Sequence, residues 1–202
     1  RVLDTSQVGI NGKTVAENIA ATGKTNGKVV KPWAEAYSPT GGLSVLFGSL
    51  APDGAAVKSH AVDPKMLRHR GPARVFNGEE PATKAIMSQD FEAGDVIVVQ
   101  GEGPRGGPGM REMLSLTAMI SGMGMDDRVA LLTDGRFSGA TRGAAIGHIS
   151  PEAASGGPIG LLRDGDMIEI DIPGGRLDVD VSAEEMERRR REQPEWTTKV
   201  KG

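Results

Sequence analysis

The stretch that decides the fold is Asp95-Val96-Ile97-Val98-Val99-Gln100, a β-branched run that leads into a glycine-rich loop. Such a run, bounded by turn residues, predicts a β-strand. Residues Glu80 to Met87, which precede it, have helical composition. After the loop, apolar residues at helical spacing predict another helix, and Val129 to Leu132 predicts a second, buried strand. Because strands and helices alternate around this centre, the expected fold class is α/β.

Outside this centre, strands dominate the prediction. The further predicted strands are Leu43–Phe47, Ala56–Lys58, Ala73–Phe76, Met167–Ile172 and Leu177–Val181. The last two flank Pro173-Gly174-Gly175, which predicts a hairpin. The body of the protein is therefore expected to be β-rich.

Capping residues mark where the remaining helices begin. The predicted helices are Val15 to Ala21, a segment from Pro108 to Gly122, and a charged segment that follows Ser182 and runs through Arg191. Thr14 with Glu17, and Ser182 with Glu185, form the Ser/Thr-x-x-Glu pattern of a capping box. The helix from Pro108 is expected to be the longest, with Glu112 in its first turn or close to it, where the helix dipole favours a carboxylate.

Composition narrows the function classes. The 24 Lys and Arg residues nearly balance the 27 Asp and Glu residues, and no basic stripe suggests a nucleic-acid partner. No apolar run approaches the roughly 20 residues that span a bilayer, and the N-terminus lacks a signal-peptide pattern. We therefore expect a cytoplasmic protein without a membrane partner. With 202 residues and 38% hydrophobic content, the chain is expected to form one domain over 1–202.

The absence of cysteine excludes several kinds of site within this chain. With no thiol, it holds no disulfide, thiolate zinc site, cysteine nucleophile or self-contained iron–sulfur site. The three histidines, His60, His69 and His148, are too dispersed for metal-ligand spacing. A metal site built from thiolates or from clustered histidines is therefore not expected within this chain.

The loop from Gly101 to Glu112 is the first candidate site. A strand, a glycine-rich turn and a helix in succession can direct backbone N–H groups at an anion. The Gly-Lys-Ser/Thr ending of a nucleotide-binding loop is missing, which argues against nucleotide hydrolysis. The glycines are equally consistent with a tight turn and close backbone packing. Glu112 is either a carboxylate placed to suit the helix dipole or a ligand for Mg²⁺.

The loop from Thr133 to Gly143 is the second candidate site. Ser138 follows a buried strand and lies beside glycines that permit close approach of a substrate. It is either a nucleophile or base, or a serine that only forms a turn. Because residue 136 is arginine, the Gly-x-Ser-x-Gly pattern of many hydrolases is absent.

Several motifs, in order, resemble one family. They are Pro39-Thr40-Gly41-Gly42, Leu50–Gly54, His69–Phe76, Glu102–Met113, Thr133–Gly143 and Gly147–Ala153. Together they cover nearly the whole chain from about Gly12 and resemble the dihydroxy-acid dehydratase and phosphogluconate dehydratase family. Long motifs in a fixed order are far more specific than any one of them alone.

The resemblance implies a two-domain enzyme of which this chain is the C-terminal domain. That domain is expected to be a swivelling β-barrel-like core (β/β/α) flanked by helices. The N-terminal domain would supply the cysteines that bind an iron–sulfur cluster. By motif position, Glu112 matches a Mg²⁺ ligand and Ser138 matches the base that takes a proton from the substrate. The remaining residues assigned to substrate- or anion-binding loops are Gly106, Gly107, Gly109, Arg136, Gly139 and Thr141.

The implied reaction is the loss of water from a 2,3-dihydroxy acid, which gives a 2-oxo acid. The first motifs are most similar to those of dihydroxy-acid dehydratases of branched-chain amino-acid synthesis, and a pentonate or hexonate dehydratase is the alternative. A homodimer is expected from the family. The start at Arg1 suggests a fragment, which alone is expected to be inactive. A non-catalytic anion-binding module is the alternative from another class of protein.

Overall fold

The chain folds into two compact units. A computed structural model describes residues 3–23, 26–194 and 196. The two units are Arg1–Thr40 and Gly41–Gly202. None of the helices in the described ranges is both long and apolar enough to cross a membrane. The assignment of 1–202 to one domain of a two-domain enzyme stays a prediction.

The first unit contains helix α1 (Val15–Ala20), which begins at the predicted capping box. The Glu17 N–H donates to Thr14 Oγ1 (3.1 Å), and the Thr14 N–H donates to Glu17 Oε2 (2.7 Å). These two bonds satisfy backbone donors that a helix start leaves unpaired. None of the unit's described residues is buried, and Trp33 is 91% exposed. Local hydrogen bonding, rather than burial, is what stabilises α1 within this unit.

The second unit contains the remaining helices and the strands. Its helices are α2 (Glu79–Met87), α3 (Ser115–Gly122) and α4 (Ala183–Glu192). Its strands are β1 (Ser44–Leu46), β2 (Gly54–Val57), β3 (Arg68–Asn77), β4 (Val96–Gln100), β5 (Glu112–Met113), β6 (Ala130–Thr133), β7 (Arg136–Phe137), β8 (Ala145–Ser150), β9 (Met167–Asp171) and β10 (Arg176–Val179). Each predicted strand is present, with bounds shifted by a few residues.

Eight of these strands form a sheet that curls towards closure. Their order is β1-β2-β8-β6-β4-β3-β9-β10. The four strands β3, β4, β6 and β8 pair in parallel, and the outer pairs are antiparallel. The two edges meet because the Phe47 N–H donates to Gly175 O (2.9 Å) and the Leu177 N–H donates to Phe47 O (3.0 Å). The predicted β-rich α/β fold with a barrel-like core is confirmed.

The run at the start of β4 is buried on both faces of the sheet. Val96 and Val98 face one apolar cluster, which also contains Leu132, Ile146 and Ile168. Ile97 and Val99 face a second apolar cluster, to which α2 and α3 also contribute. Its large members include Ile86, Leu116, Ile120 and Leu131. Because successive strand residues point to opposite faces, a continuous apolar run suits a central parallel strand covered on both sides.

The prediction that the longest helix begins at Pro108 is wrong. Helix α3 begins only at Ser115 and has eight residues, whereas α4 has ten. Helix α4 is fixed to the body by Arg189, whose guanidinium binds the carboxylate of Asp166 and the carbonyl of Leu161. Hydrogen bonds from Arg188 and Arg189 lower the pKa of Glu185 to about 2. The Arg-rich helix therefore presents one buried anchor and a face of ion pairs.

Candidate active site

Three adjacent parallel strands end at a shared buried carboxylate. Asp134 follows β6 directly and is 2% exposed. Its oxygens accept from the N–H groups of Gly101 (3.0 Å) and Glu102 (2.9 Å), which follow β4, and of Ala153 (2.9 Å), which follows β8. Burial raises the pKa of Asp134, and the three N–H donors oppose that rise. Asp134 thus ties together the carboxyl ends of the central strands, where α/β sheets present their sites.

A second carboxylate occupies the glycine-rich loop. Glu152 accepts from the N–H groups of Arg105 (3.0 Å) and Gly106 (3.0 Å). The Gly107 N–H donates to Gly103 O (2.8 Å). The loop does hold an anion, but that anion is a side chain of the same protein. The roles of Gly106 and Gly107 in binding an external anion, and that of the exposed Gly109, stay predictions.

The glycines of this loop are required by close backbone packing. A Cβ atom on Gly106 would lie 3.0 Å from the Gly101 Cα, and one on Gly107 would lie 2.9 Å from Glu102 Oε2. Glu102 is itself 1% exposed, and it accepts from the Glu79 N–H (2.9 Å) at the start of α2. The loop is therefore held by the carboxylates of Asp134 and Glu152, and its own Glu102 ties it to the start of α2.

The prediction that places Glu112 in a helix is wrong, because Glu112 begins strand β5. The backbone at Met110 has a φ of +40°, and Gly109 has a φ of +93°, so the chain turns sharply here. It then pairs in parallel with β7, with Glu112 opposite Arg136 and Met113 opposite Phe137. The left-handed backbone at two successive residues is incompatible with a helix that starts at Pro108.

This short ribbon brings the two principal candidates close together. Ser138 follows β7, and its N–H donates to Met113 O (3.2 Å), the residue next to Glu112. The Arg136 guanidinium donates to Met110 O (2.7 Å) and so holds the turn before β5. Glu112 is exposed, and its carboxylate forms no hydrogen bond or ion pair with any residue in the described ranges. It is therefore free to bind a cation from outside the chain.

Ser138 lies in a tight turn on the wall of a cavity. Its Oγ accepts from the Ala140 N–H (3.3 Å), and its carbonyl accepts from the Thr141 N–H (3.0 Å). Thr141 is buried and its hydroxyl bonds that of Thr117 (3.4 Å), which anchors the turn to α3. Gly139, at the tip, is exposed and has open space around it.

The cavity beside Ser138 has a volume of about 220 Å³. Its polar lining residues are Lys58, Ser138, Thr141 and His148. Its larger apolar lining residues are Leu43, Val57 and Phe137. The Lys58 ammonium donates to the carbonyl of Gly139, directly after Ser138. A hydroxyl, an ammonium and an apolar wall in one cavity suit a small organic acid with an apolar end.

No role was predicted from the sequence for Asp134, Glu152 or Lys58, although Asp134 lies within the second candidate loop. Asp134 and Glu152 each follow a central strand, where a carboxylate can reach backbone N–H groups of the neighbouring strand ends. Lys58 follows β2 in the same way. The signal that could have found them is their position at strand ends. Their partners, however, depend on the strand order, which the sequence does not reveal.

The side chains available as metal ligands limit which metal sites this chain can form by itself. In the part of the chain that the structure describes, no three His, Asp or Glu side chains form a group that could hold a metal ion. A single exposed carboxylate at Glu112 suits one ligand position of Mg²⁺, which is usually bound through one or two carboxylates, waters and substrate oxygens. With no cysteine, the chain offers no thiolate to an iron–sulfur cluster.

Residues 28–202 match a family described as dihydroxy-acid/6-phosphogluconate dehydratase C-terminal. The chain belongs to this family. The resemblance of the sequence motifs is thereby confirmed, and the loops that carry Glu112 and Ser138 lie within the matched region.

Curated relatives in this family are close in sequence. The dihydroxy-acid dehydratase of Halothermothrix orenii is 57% identical over 188 residues, which cover 93% of this chain and 34% of the relative. That of Carboxydothermus hydrogenoformans is 60% identical over 181 residues, 90% of this chain and 33% of the relative. That of Clostridium botulinum (strain Alaska E43) is 59% identical over 189 residues, which cover 94% of this chain and 34% of the relative. The chain thus spans about a third of the length of the curated relatives it matches.

Proposed function

We propose that this chain forms the C-terminal part of a hydro-lyase that converts a 2,3-dihydroxy acid to a 2-oxo acid. The observation that carries the proposal is the placement of Ser138 on a cavity wall, directly after β7. Strand β7 pairs with β5, which begins at Glu112, and the Glu112 carboxylate has no partner among the described residues. The names of the relatives support the reaction. Their length supports a second domain that completes the site, because they extend well beyond the region matched here.

The proposed chemistry assigns the proton transfer to Ser138. Its Oγ, in the ionised form, takes the proton from C2 of the substrate. The electron pair of that C–H bond forms the C2=C3 double bond as the C3 hydroxyl leaves as hydroxide. The proton that Ser138 received passes to this hydroxide, which gives water and restores the ionised Ser138. The resulting enol tautomerises to the 2-oxo acid. When bound, Mg²⁺ and an iron–sulfur cluster supply Lewis acidity to the substrate oxygens. Glu112 would hold the Mg²⁺, and the cluster would be held outside this chain.

A Glu112→Gln variant of the complete enzyme is expected to bind Mg²⁺ more weakly. We expect the apparent affinity to fall at least about tenfold, because even residues that only orient a metal ligand contribute about that much. Mg²⁺ titration of activity, together with calorimetry of Mg²⁺ binding, measures the effect. Glu92→Gln, an exposed glutamate before β4, is the control and should bind Mg²⁺ as the parent does. An unchanged affinity in Glu112→Gln would exclude Glu112 as a ligand.

The apolar cavity wall favours a branched aliphatic substrate over a polyol chain. Leu43 and Phe137 lie on this wall with Val57. One methylene group more or less on a substrate in an apolar pocket changes the discrimination between substrates by about 1–3 kcal/mol. We therefore propose the dihydroxy acids of branched-chain amino-acid synthesis as substrates, ahead of pentonates and hexonates. The family resemblance also supports a homodimer, which sedimentation of the complete enzyme tests. The cytoplasmic location stays a prediction from the sequence.

Changing the wall at Leu43 is expected to change substrate preference. In the complete enzyme, Leu43→Asn should lower kcat/KM for 2,3-dihydroxy-3-methylbutanoate about tenfold, because a polar side chain replaces an apolar contact. The ratio of kcat/KM for that acid and for a panel of aldonic acids is the measurement. Leu43→Ile keeps the apolar character and is expected to keep the parent ratio. If Leu43→Asn also keeps it, the wall at Leu43 does not select the substrate.

A further inference from the structure

Lys58 links the outer strand pair to the turn that carries Ser138. It directly follows β2, which pairs with β8 through Val57 and Ile146. The Lys58 ammonium donates to the Gly139 carbonyl. Since Lys58 and Ser138 line the same cavity, this contact places a positive charge beside the tip of the Ser138 turn.

Among the described residues, the Lys58 charge has no carboxylate partner. No Asp or Glu oxygen in these ranges lies within ion-pair distance of its ammonium, and the two arginines of the loop that carries Ser138 are engaged by other groups. Arg142 pairs with Asp126 (3.2 Å), and Arg136 donates to Met110 O (2.7 Å). A partly buried ammonium without a counter-ion favours negative charge in its surroundings.

The turn itself has few other side-chain anchors. Gly139 and Ala140 are exposed, and the hydroxyl of Thr141 is bonded only to that of Thr117 among the described residues. The Ala140 N–H donates to Ser138 Oγ at 3.3 Å, which is a long bond. Because Gly139 directly follows Ser138, the hydrogen bond from Lys58 to the Gly139 carbonyl restricts the orientation of Ser138 Oγ.

We propose that Lys58 is a positioning residue for Ser138: its ammonium fixes the turn through Gly139, and its positive charge stabilises Ser138 Oγ in the ionised form. The inference rests on the proposed role of Ser138 as base. An isolated serine hydroxyl is too weakly acidic to ionise at neutral pH, so a nearby cation is a chemical requirement for that role. Lys58 provides such a charge from within this chain.

The test compares Lys58→Met, Lys58→Arg and Ser138→Ala in the complete enzyme with its metal cofactors. Lys58→Met keeps an unbranched side chain but removes the donor and the charge. We expect its kcat to fall about 10- to 100-fold, with KM changed less than about twofold, because the lost interaction acts mainly in the transition state. Lys58→Arg keeps donor and charge and is expected to recover most of kcat.

Hydrogen exchange provides a readout that is independent of turnover. The amides of Ala140 and Thr141 should exchange faster in Lys58→Met than in the parent, and the amides of β4 should be unchanged. If Lys58→Met does not fold, as judged by exchange in β4, Lys58→Gln replaces it with the same expectation for kcat.

The outcomes separate the inference from the proposed function. An inactive Ser138→Ala with parent-like kcat in the neutral Lys58 variant overturns the role of Lys58 alone. A raised KM with unchanged kcat also overturns it, because Lys58 would then bind substrate without assisting Ser138. An active Ser138→Ala overturns both proposals. A loss of kcat that Lys58→Arg does not recover counts against a role for the charge and overturns the inference.

Discussion

Replacing Ser138 with alanine in the complete enzyme is expected to lower kcat by about 10³-fold, within the range that a positioned general base contributes. The structure supplies the reason, because Ser138 Oγ lies on the cavity wall and, among the described residues, accepts only a long bond from the Ala140 N–H. Removing the hydroxyl takes away the group that is proposed to receive the C2 proton. KM should stay within about threefold, since the contacts that hold the substrate remain.

The measurement is steady-state turnover of 2,3-dihydroxy-3-methylbutanoate at saturating Mg²⁺. Ser88→Ala is the matched control, because Ser88 is also a hydroxyl in a local hydrogen bond, to Lys84 O (3.0 Å) at the end of α2. Its kcat should equal that of the parent. A parent-like kcat in Ser138→Ala would show that another group takes the proton. A loss of folding, detected by circular dichroism, is not expected, since Oγ has no other partner in the described ranges.

Elements with strong local signals were predictable from the sequence. The hairpin of β9 and β10 follows from its alternation, because Ile168 and Ile170 are buried whereas Glu169 between them is exposed. Helix α1 follows from its capping box. In both, the residues that decide the structure lie within a few positions of each other. Closure of the sheet between Phe47 and Gly175 depends on residues far apart in the chain, which no local pattern reports.

The segment around Glu112 shows where a local pattern misleads. Met110, Met113 and Leu114 fit a helical period that α3 continues, but two residues of β5 fit a strand equally well. The pairing of β5 with β7 decides between them, and it is a long-range contact. The sequence therefore identified Glu112 as a candidate residue and placed it in the wrong element.

The assignment of Glu112 and Ser138 to one active site was based on the family resemblance, and the spacing of the two residues in the sequence did not predict it. Each had a plain structural explanation when taken alone, as a helix-start carboxylate or a turn serine. Their common location depends on the β5–β7 ribbon, which the sequence did not predict. The roles of Lys58, Asp134 and Glu152 were not predicted for a related reason, because each role depends on partners that follow other strands.

Replacing Asp134 with alanine is expected to destabilise the folded protein by about 3–9 kcal/mol, because each of three buried N–H groups left without an acceptor costs about 1–3 kcal/mol. Three such groups, on Gly101, Glu102 and Ala153, depend on this one carboxylate. They belong to the ends of different strands, so their loss loosens the loop before β5 as well. Urea denaturation, with the free energy of unfolding extrapolated to water, measures the effect.

A graded pair of variants tests that explanation. Asp134→Asn keeps the shape and one acceptor oxygen, so it can still serve two donors if its oxygen takes the position of Oδ2, which binds Gly101 and Ala153. We expect it to lose about 1–3 kcal/mol, less than the alanine variant. Asp53→Ala, at an exposed turn position, should stay within about 0.5 kcal/mol of the parent. Equal losses in Asp134→Ala and Asp134→Asn would mean that charge, rather than the number of acceptors, holds these strand ends together.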